Sequence, residues 1–248
     1  MTHSGFTIRP AGEGGMIIGF GREMSPVLSR RVHGTASRLW QEKINGIYDI
    51  VPAYCSITIY FNPLDLPYKE LEQAVTAVLK AKTGSFILPP SRLLVVPVCY
   101  GGVLGPDLEY VARNTGLTVE EVIELHTQKP YLVYMLGFTP GFAYLGGLPN
   151  SLVLPRQNEP RLRVPAGSVG LGGSQTGFYS VESQGEWWLI GRTPLRAFSA
   201  GENPPFLLKP GDYVKFSAIE QSEFFSLRRQ IRDGKYRPQI CEFEEAGV

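Results

Sequence analysis

From Pro130 to Pro155 the chain runs for 26 residues without one formally charged side chain. A stretch that long matches the thickness of a bilayer. It is punctuated, however, by Pro130, Pro140, Pro149 and Pro155 and by Gly137, Gly141, Gly146 and Gly147. Proline removes a helical hydrogen bond and glycine adds backbone freedom, so this pattern breaks a membrane helix. The segment reads instead as a buried strand, Tyr131–Leu136, followed by an aromatic, Gly/Pro-rich loop.

The rest of the composition fits a globular host for such a segment. The 248 residues are 43% hydrophobic and 19% charged, enough for one large domain or two small ones. Lys and Arg number 24 against 23 Asp and Glu, a net charge of +1. No global field is present to attract nucleic acid or an anionic membrane. Cys55, Cys99 and Cys241 are odd in number and form no CxxC, so neither a disulfide framework nor a cysteine zinc site is expected. Reduced thiols suit a cytoplasmic location. The opening MTHSGFTIRPAGEGG lacks the apolar core of a signal peptide, and none is expected.

The first hundred residues show strand and helix signals in turn. Met16–Phe20 is a short apolar run, and Ser25-Pro26 reads as an N-cap with proline at the first helical position. Leu28, Val32, Thr35 or Ala36, and Leu39 then predict an amphipathic helix over 26–44. Ile47–Val51 and Tyr54–Phe61 are strands, the second alternating apolar and polar residues. Pro67 opens a second helix carrying Leu71, Val75 and Val78, and Leu93–Cys99 is a β-rich run. This order is that of a split βαβ, ferredoxin-like domain. Beyond residue 100 the texture changes. Asp107 and Glu109 read as helix-start acids, and Gly116 as a C-cap. Thr118 and Glu121 form a capping box. Short strands follow at Leu152–Leu154, Arg163–Pro165, Ser168–Leu171, Gly177–Val181, Trp187–Gly191 and Tyr213–Ser217, with a last helix over Gln221–Arg232. That spacing suggests a barrel or sandwich, and the whole an α+β protein.

No self-contained catalytic kit is visible. GxxxxGK[ST] and GxSxG are absent, and Gly170–Gln175 lacks the third glycine of a dinucleotide motif. His3, His33 and His126 share no metal-ligand spacing, and no metal is expected. The loop from Tyr134 to Pro149 offers Phe138, Phe142 and Tyr144 as flat faces, which suits a pocket wall, a partner surface or a loop closing the core. Arg156, Arg161 and Arg163 lie close together with only Glu159 opposing, the residue type that grips carboxylate or phosphate, although pairing with surface acids accounts for them equally. The glycines of 165–176 leave backbone N–H groups open to an anion, with Ser168, Gln175 and Thr176 as polar neighbours. Arg192 and Arg196 flank the next turn, and His126 sits where a helix end favours positive charge.

Taken together, VPVCYGGVLGPDLEYVA, LHTQKPYLVYMLGFTPGFAYLGGLP, PRLRVPAGSVGLGGSQTGFYS and WWLIGRTPLRAF resemble the KipI family, whose other names are allophanate hydrolase subunit 1 and the 5-oxoprolinase B-subunit (PxpB) family. Ser180 stands where that family usually has proline. The resemblance implies a ferredoxin-like N-terminal domain over 1–92 and a cyclophilin-like β-barrel domain with a C-terminal helix over 93–248. It implies a cytoplasmic chain, inactive alone, of a complex that opens 5-oxoproline to glutamate at the expense of ATP, used with Mg. Its partners would be a C-type chain (KipA- or PxpC-like) that shares the site and an A-type chain (PxpA-like). The alternatives it carries are an inhibitor of a sporulation histidine kinase and a carboxyltransferase-type chain acting on urea- or allophanate-like amides. The positions matching substrate or phosphate binding are Arg156, Arg161, Arg163, Ser168, Gln175, Thr176 and Arg192. Those matching a pocket or partner interface are His126, Tyr134, Phe138, Phe142 and Tyr144. No residue is assigned a catalytic role.

Overall fold

The structure, a computed structural model, describes residues 2–3, 5–81 and 91–243. The chain divides into two compact units, residues 1–89 and 90–248. No helix among the described residues is long and apolar enough to cross a membrane.

In the first unit, β1 (Thr2–His3), β2 (Phe6–Pro10), β3 (Gly15–Gly19), β4 (Ile47–Pro52) and β5 (Ser56–Phe61) form an antiparallel sheet in the order β1-β2-β3-β5-β4. Two helices, α1 (Pro26–Gln41) and α2 (Tyr68–Lys80), complete it. Ser25 caps α1 as its sequence foretells, its hydroxyl accepting from the Leu28 amide at 3.2 Å. The helix ends three residues before the expected boundary. Met16, Ile18, Ile57 and Ile59 alternate with exposed or half-buried residues and pack with Val32, Leu39, Leu71 and Val75 in one core. One expectation changes here. The run Leu93–Cys99 does not join this sheet, and the place beside β3 is held by β2, which pairs with it antiparallel from Thr7↔Gly19 to Pro10↔Met16.

That run becomes β6 (Ser91–Tyr100) of the second unit. The other strands there are β7 (Tyr131–Leu136), β8 (Ala143–Gly146), β9 (Arg161–Val164), β10 (Ser168–Gly172), β11 (Gln175–Phe178), β12 (Ser183–Gly185), β13 (Trp188–Arg192), β14 (Tyr213–Ala218) and β15 (Ile240–Phe243). Seven of them close into a barrel in the order β6-β13-β10-β11-β8-β7-β14 and back to β6. Strand β6 closes the ring because it is long. It lies parallel to β14 from Leu93 to Val98, meets β13 through Cys99 and Tyr100, and carries β15 on Ser91–Leu94. Strands β9 and β12 form a separate two-stranded ribbon. The expected strand at Leu152–Leu154 is a 3-10 turn, Asn150–Leu152, followed by a single bridge between Leu154 and Gly173.

Val96, Val98, Val133, Leu145, Val169, Leu171, Ile190 and Val214 fill the barrel core, and α3 (Leu108–Thr115) and α4 (Val119–Thr127) add Leu108, Val111, Ala112 and Val122. Both bonds of the Thr118/Glu121 capping box form, at 3.1 and 2.7 Å. A last helix, α5 (Gln221–Arg232), buries Phe224 against Cys99 and Leu104.

Candidate functional site

The sequence groups Arg156, Arg161 and Arg163 as one anion site; in the structure each is held by an acid of its own. Arg156 Nη1 donates to Glu186 Oε1 at 2.6 Å, and Arg163 Nε to Glu182 Oε1 at 2.7 Å. Arg161 Nη2 donates to Asp107 Oδ1 at 2.6 Å, and the Leu189 amide donates to Asp107 Oδ2 at 2.7 Å. Asp107 therefore does not cap α3, since its carboxylate is committed to the start of β13 and to the ribbon. Each arginine is thus paired with a different acid, Glu186, Asp107 or Glu182.

The polar candidates of the glycine-rich segment are enclosed. Ser168, Gln175 and Thr176 are buried within β10 and β11. Thr176 Oγ1 donates to Gly170 O at 3.1 Å and lies 2.8 Å from His126 Nε2. A hydroxyl has one proton, so His126 Nε2 must be the donor in the second bond. His126 Nδ1 then accepts from the Tyr100 hydroxyl at 2.7 Å. The imidazole is fully buried and stacks on Phe216 at 4.5 Å, and burial drives its pKa down to about 3. It is a neutral core group holding α4 to β6 and β11, not a pocket or interface residue. Tyr134, 5% exposed, packs against Gly146 in the core and is not a pocket wall. The glycines have a packing role as well. A Cβ on Gly172 would stand 2.3 Å from Trp187 Nε1, so this residue is small to let the indole lie over the sheet.

Of the concave sites on this unit, two gather residues that the sequence singles out. The first, of about 550 Å³, is walled by Ala166 and Ser180, by the turn Arg192–Arg196 after β13, and by Phe224, Phe225, Arg228, Arg229, Ile231 and Arg232 of α5. Five arginines line it and no carboxylate does. Arg232 Nε meets Asp233 at 3.1 Å outside the lining, and Arg192 Nε donates to Ala166 O at 2.9 Å. Burial, helped by the neighbouring charge of Arg228, holds the Arg192 guanidinium below its usual pKa. Like charges gathered with no carboxylate in the lining attract an anion. Of these arginines, the sequence points to Arg192 and, beside it, Arg196; it does not point to Arg228, Arg229 or Arg232. The basic face of α5 is readable, but nothing local in the sequence brings it beside residues 192–196.

The second site, of about 230 Å³, is walled by Phe138, Phe142, Tyr144, Pro160, Tyr179 and Trp187, with Arg156, Gln184 and Glu186 as polar members. Phe142 is 2% exposed and Phe138 is 61% exposed, so the aromatic loop is half core and half surface. Burial pushes the Tyr179 phenol up to about 12 and raises that of Tyr144, so both stay protonated. The two sites share a wall: Tyr179 faces one and Ser180 the other.

Residues 6–208 match the family described as carboxyltransferase domain, subdomain C and D. That match defines the class of protein. The chain is 38% identical over 235 residues to the 5-oxoprolinase B subunit of Bacillus subtilis (strain 168), covering 91% of this chain and 98% of that protein. It is 41% identical over 197 residues to the 5-oxoprolinase B subunit of Escherichia coli O157:H7, covering 78% and 89% respectively. The crystal structure of TTHA0988 superposes with a TM-score of 0.73 at 36% identity over 86% of this chain. This chain spans only 40% of TTHA0988. The chain belongs to the KipI, or 5-oxoprolinase B-subunit, family.

Proposed function

We propose that this chain is the B subunit of a cytoplasmic, ATP-dependent 5-oxoprolinase, sharing its active site with a C-type chain and acting with an A-type chain. The observation that carries the reading is the five-arginine cleft, in a chain whose relatives bear the name of the 5-oxoprolinase B subunit. A lactam is held closed by amide resonance, and ATP supplies the activation that water attack needs. The cleft fits the anionic half of that chemistry: preorganised guanidinium groups in a partly enclosed site stabilise phosphate charge without reorganising. It offers no acid to Mg, and no group of His, Cys, Asp and Glu suited to a metal occurs among the described residues. Any Mg would ride on the phosphates or on a partner's side chains. The chain itself contributes anion binding and leaves bond cleavage to the assembled site.

On the same reading the first unit is the family's ferredoxin-like domain, with β2 in the place of the usual fourth strand, and the second its cyclophilin-like domain. The test is to co-express the three chains, supply 5-oxoproline and ATP, and follow glutamate and ADP while omitting each chain in turn. Glutamate release that needs all three supports the assignment. A soluble, verified complex that leaves 5-oxoproline intact overturns it, and urea-type amides and kinase inhibition become the readings to try.

A further inference from the structure

The aromatic pocket has a lining of its own, separate from that of the arginine cleft, and it is closely built. Phe142 sits at its centre, with the rings of Tyr144, Tyr179 and Trp187 edge-on at 5.0, 5.3 and 5.4 Å. Gly185 makes room for one wall, since a Cβ there would stand 2.1 Å from the Tyr179 oxygen. Against these apolar faces stands one ion pair, Arg156 with Glu186, whose side chains are 46% and 40% exposed. The guanidinium has five N–H donors, so a single bond to Glu186 leaves it able to take a second carboxylate. Glu186 in turn keeps acceptor capacity for an N–H.

These features define the guest. At about 230 Å³ the space is far smaller than the arginine cleft and too small for a nucleotide. The aromatic walls want a compact body with C–H edges, and Arg156 disfavours a cation and favours a carboxylate. A five-membered lactam carboxylate carries the ring, the anion and the N–H together. We propose that this pocket seats the ring of 5-oxoproline, with Arg156 on its carboxylate and Glu186 accepting from the lactam N–H. The proposal rests on the 5-oxoprolinase reading and divides its labour: substrate in the aromatic pocket, phosphate in the adjoining cleft. The shared wall makes that division physical. Thr139, in the loop that carries Phe138 and Phe142, lies 3.2 Å from Ser180 by its hydroxyl, and Ser180 faces the cleft.

The experiment measures steady-state kinetics of the three-chain complex and saturation-transfer NMR of the full chain with 5-oxoproline and with 2-pyrrolidinone, which lacks the carboxylate. Arg156→Gln should raise the KM for 5-oxoproline at least tenfold, with kcat changed less than threefold and the KM for ATP unchanged. Phe138→Gly, tolerated because Phe138 has φ +63, should raise the same KM about threefold. In the NMR, saturation should pass to 5-oxoproline more strongly than to 2-pyrrolidinone, and Arg156→Gln should remove the difference. A complex that makes glutamate with both variants within twofold of the parent KM overturns the pocket assignment while the activity stands. If the complex makes no glutamate, the NMR decides alone. Saturation transfer to 5-oxoproline that disappears in Arg156→Gln supports the pocket, and no transfer to the parent chain's ligand overturns it together with the activity.

Discussion

Arg161 and Asp107, 54 positions apart, meet at 2.6 Å, and the second oxygen of the same carboxylate takes the Leu189 amide. Asp107 is 7% exposed, so its charge depends on these partners. Removing one partner of an enclosed charge leaves the other uncompensated. Because Arg161 keeps 31% of its side chain in solvent, the cost is moderated. Arg161→Ala should lower unfolding stability by about 1–3 kcal/mol. Arg163→Ala, whose pair with Glu182 is far more exposed, should stay within about 0.5 kcal/mol. Urea titrations of both variants check this, and equal midpoints would show that the Asp107 link does not hold the ribbon.

His126 gives the fold an acid-sensitive point. Its folded pKa, about 3, lies below the free value of 6.5. As pH falls through 6.5 the unfolded chain takes a proton that the folded chain refuses, so stability is lost, up to about 1.4 kcal/mol per pH unit. The loss continues until about pH 3, where the folded imidazole also protonates. Between pH 6.5 and 5, before most carboxylates titrate, Tm should fall with pH and fall less steeply in His126→Gln. Parallel slopes for the two proteins would remove His126 as the cause.

Local chemistry made the helices legible. Ser25-Pro26 and the Thr118/Glu121 box announce their helices because a cap is decided within four residues. The barrel strands were legible as texture, but their partners were not. Nothing within Leu93–Cys99 tells that it pairs with strands more than 90 and 110 positions downstream. The arginine cleft was legible only in part, for the same reason. The sequence pointed to 156–163 and to Arg192 and Arg196, but Arg228, Arg229 and Arg232, which converge on 192–196, lie more than 30 positions downstream. The glycines of 165–176 read as an open anion cradle because sequence does not show that the Trp187 side chain lies against Gly170 and Gly172.

That covering is testable. Gly172→Ala places a methyl group 2.3 Å from the Trp187 ring, and neither backbone nor a close-packed indole can yield cheaply. A loss of about 2–4 kcal/mol is expected, with altered near-ultraviolet dichroism as Trp187 shifts. Gly173→Ala meets nothing within 4 Å and costs only its left-handed backbone, φ +63, about 1 kcal/mol. The reverse ranking would mean that backbone conformation, not the indole, selects these glycines.

The arginine cleft makes the last prediction. Arg192 and Arg228 repel one another, and no lining acid offsets them. An anion placed between them should both bind and relieve that repulsion. Pyrophosphate at millimolar concentration should therefore raise Tm by a few degrees, and the rise should shrink as salt increases from about 50 to about 300 mM. Arg228→Ala removes half of the repelling pair, so without ligand it should be as stable as the parent or slightly more so. With pyrophosphate it should gain much less. The opposite signs of these two effects separate a binding site from a structural contact: an arginine that merely packed would lose stability on truncation and leave the response to pyrophosphate intact.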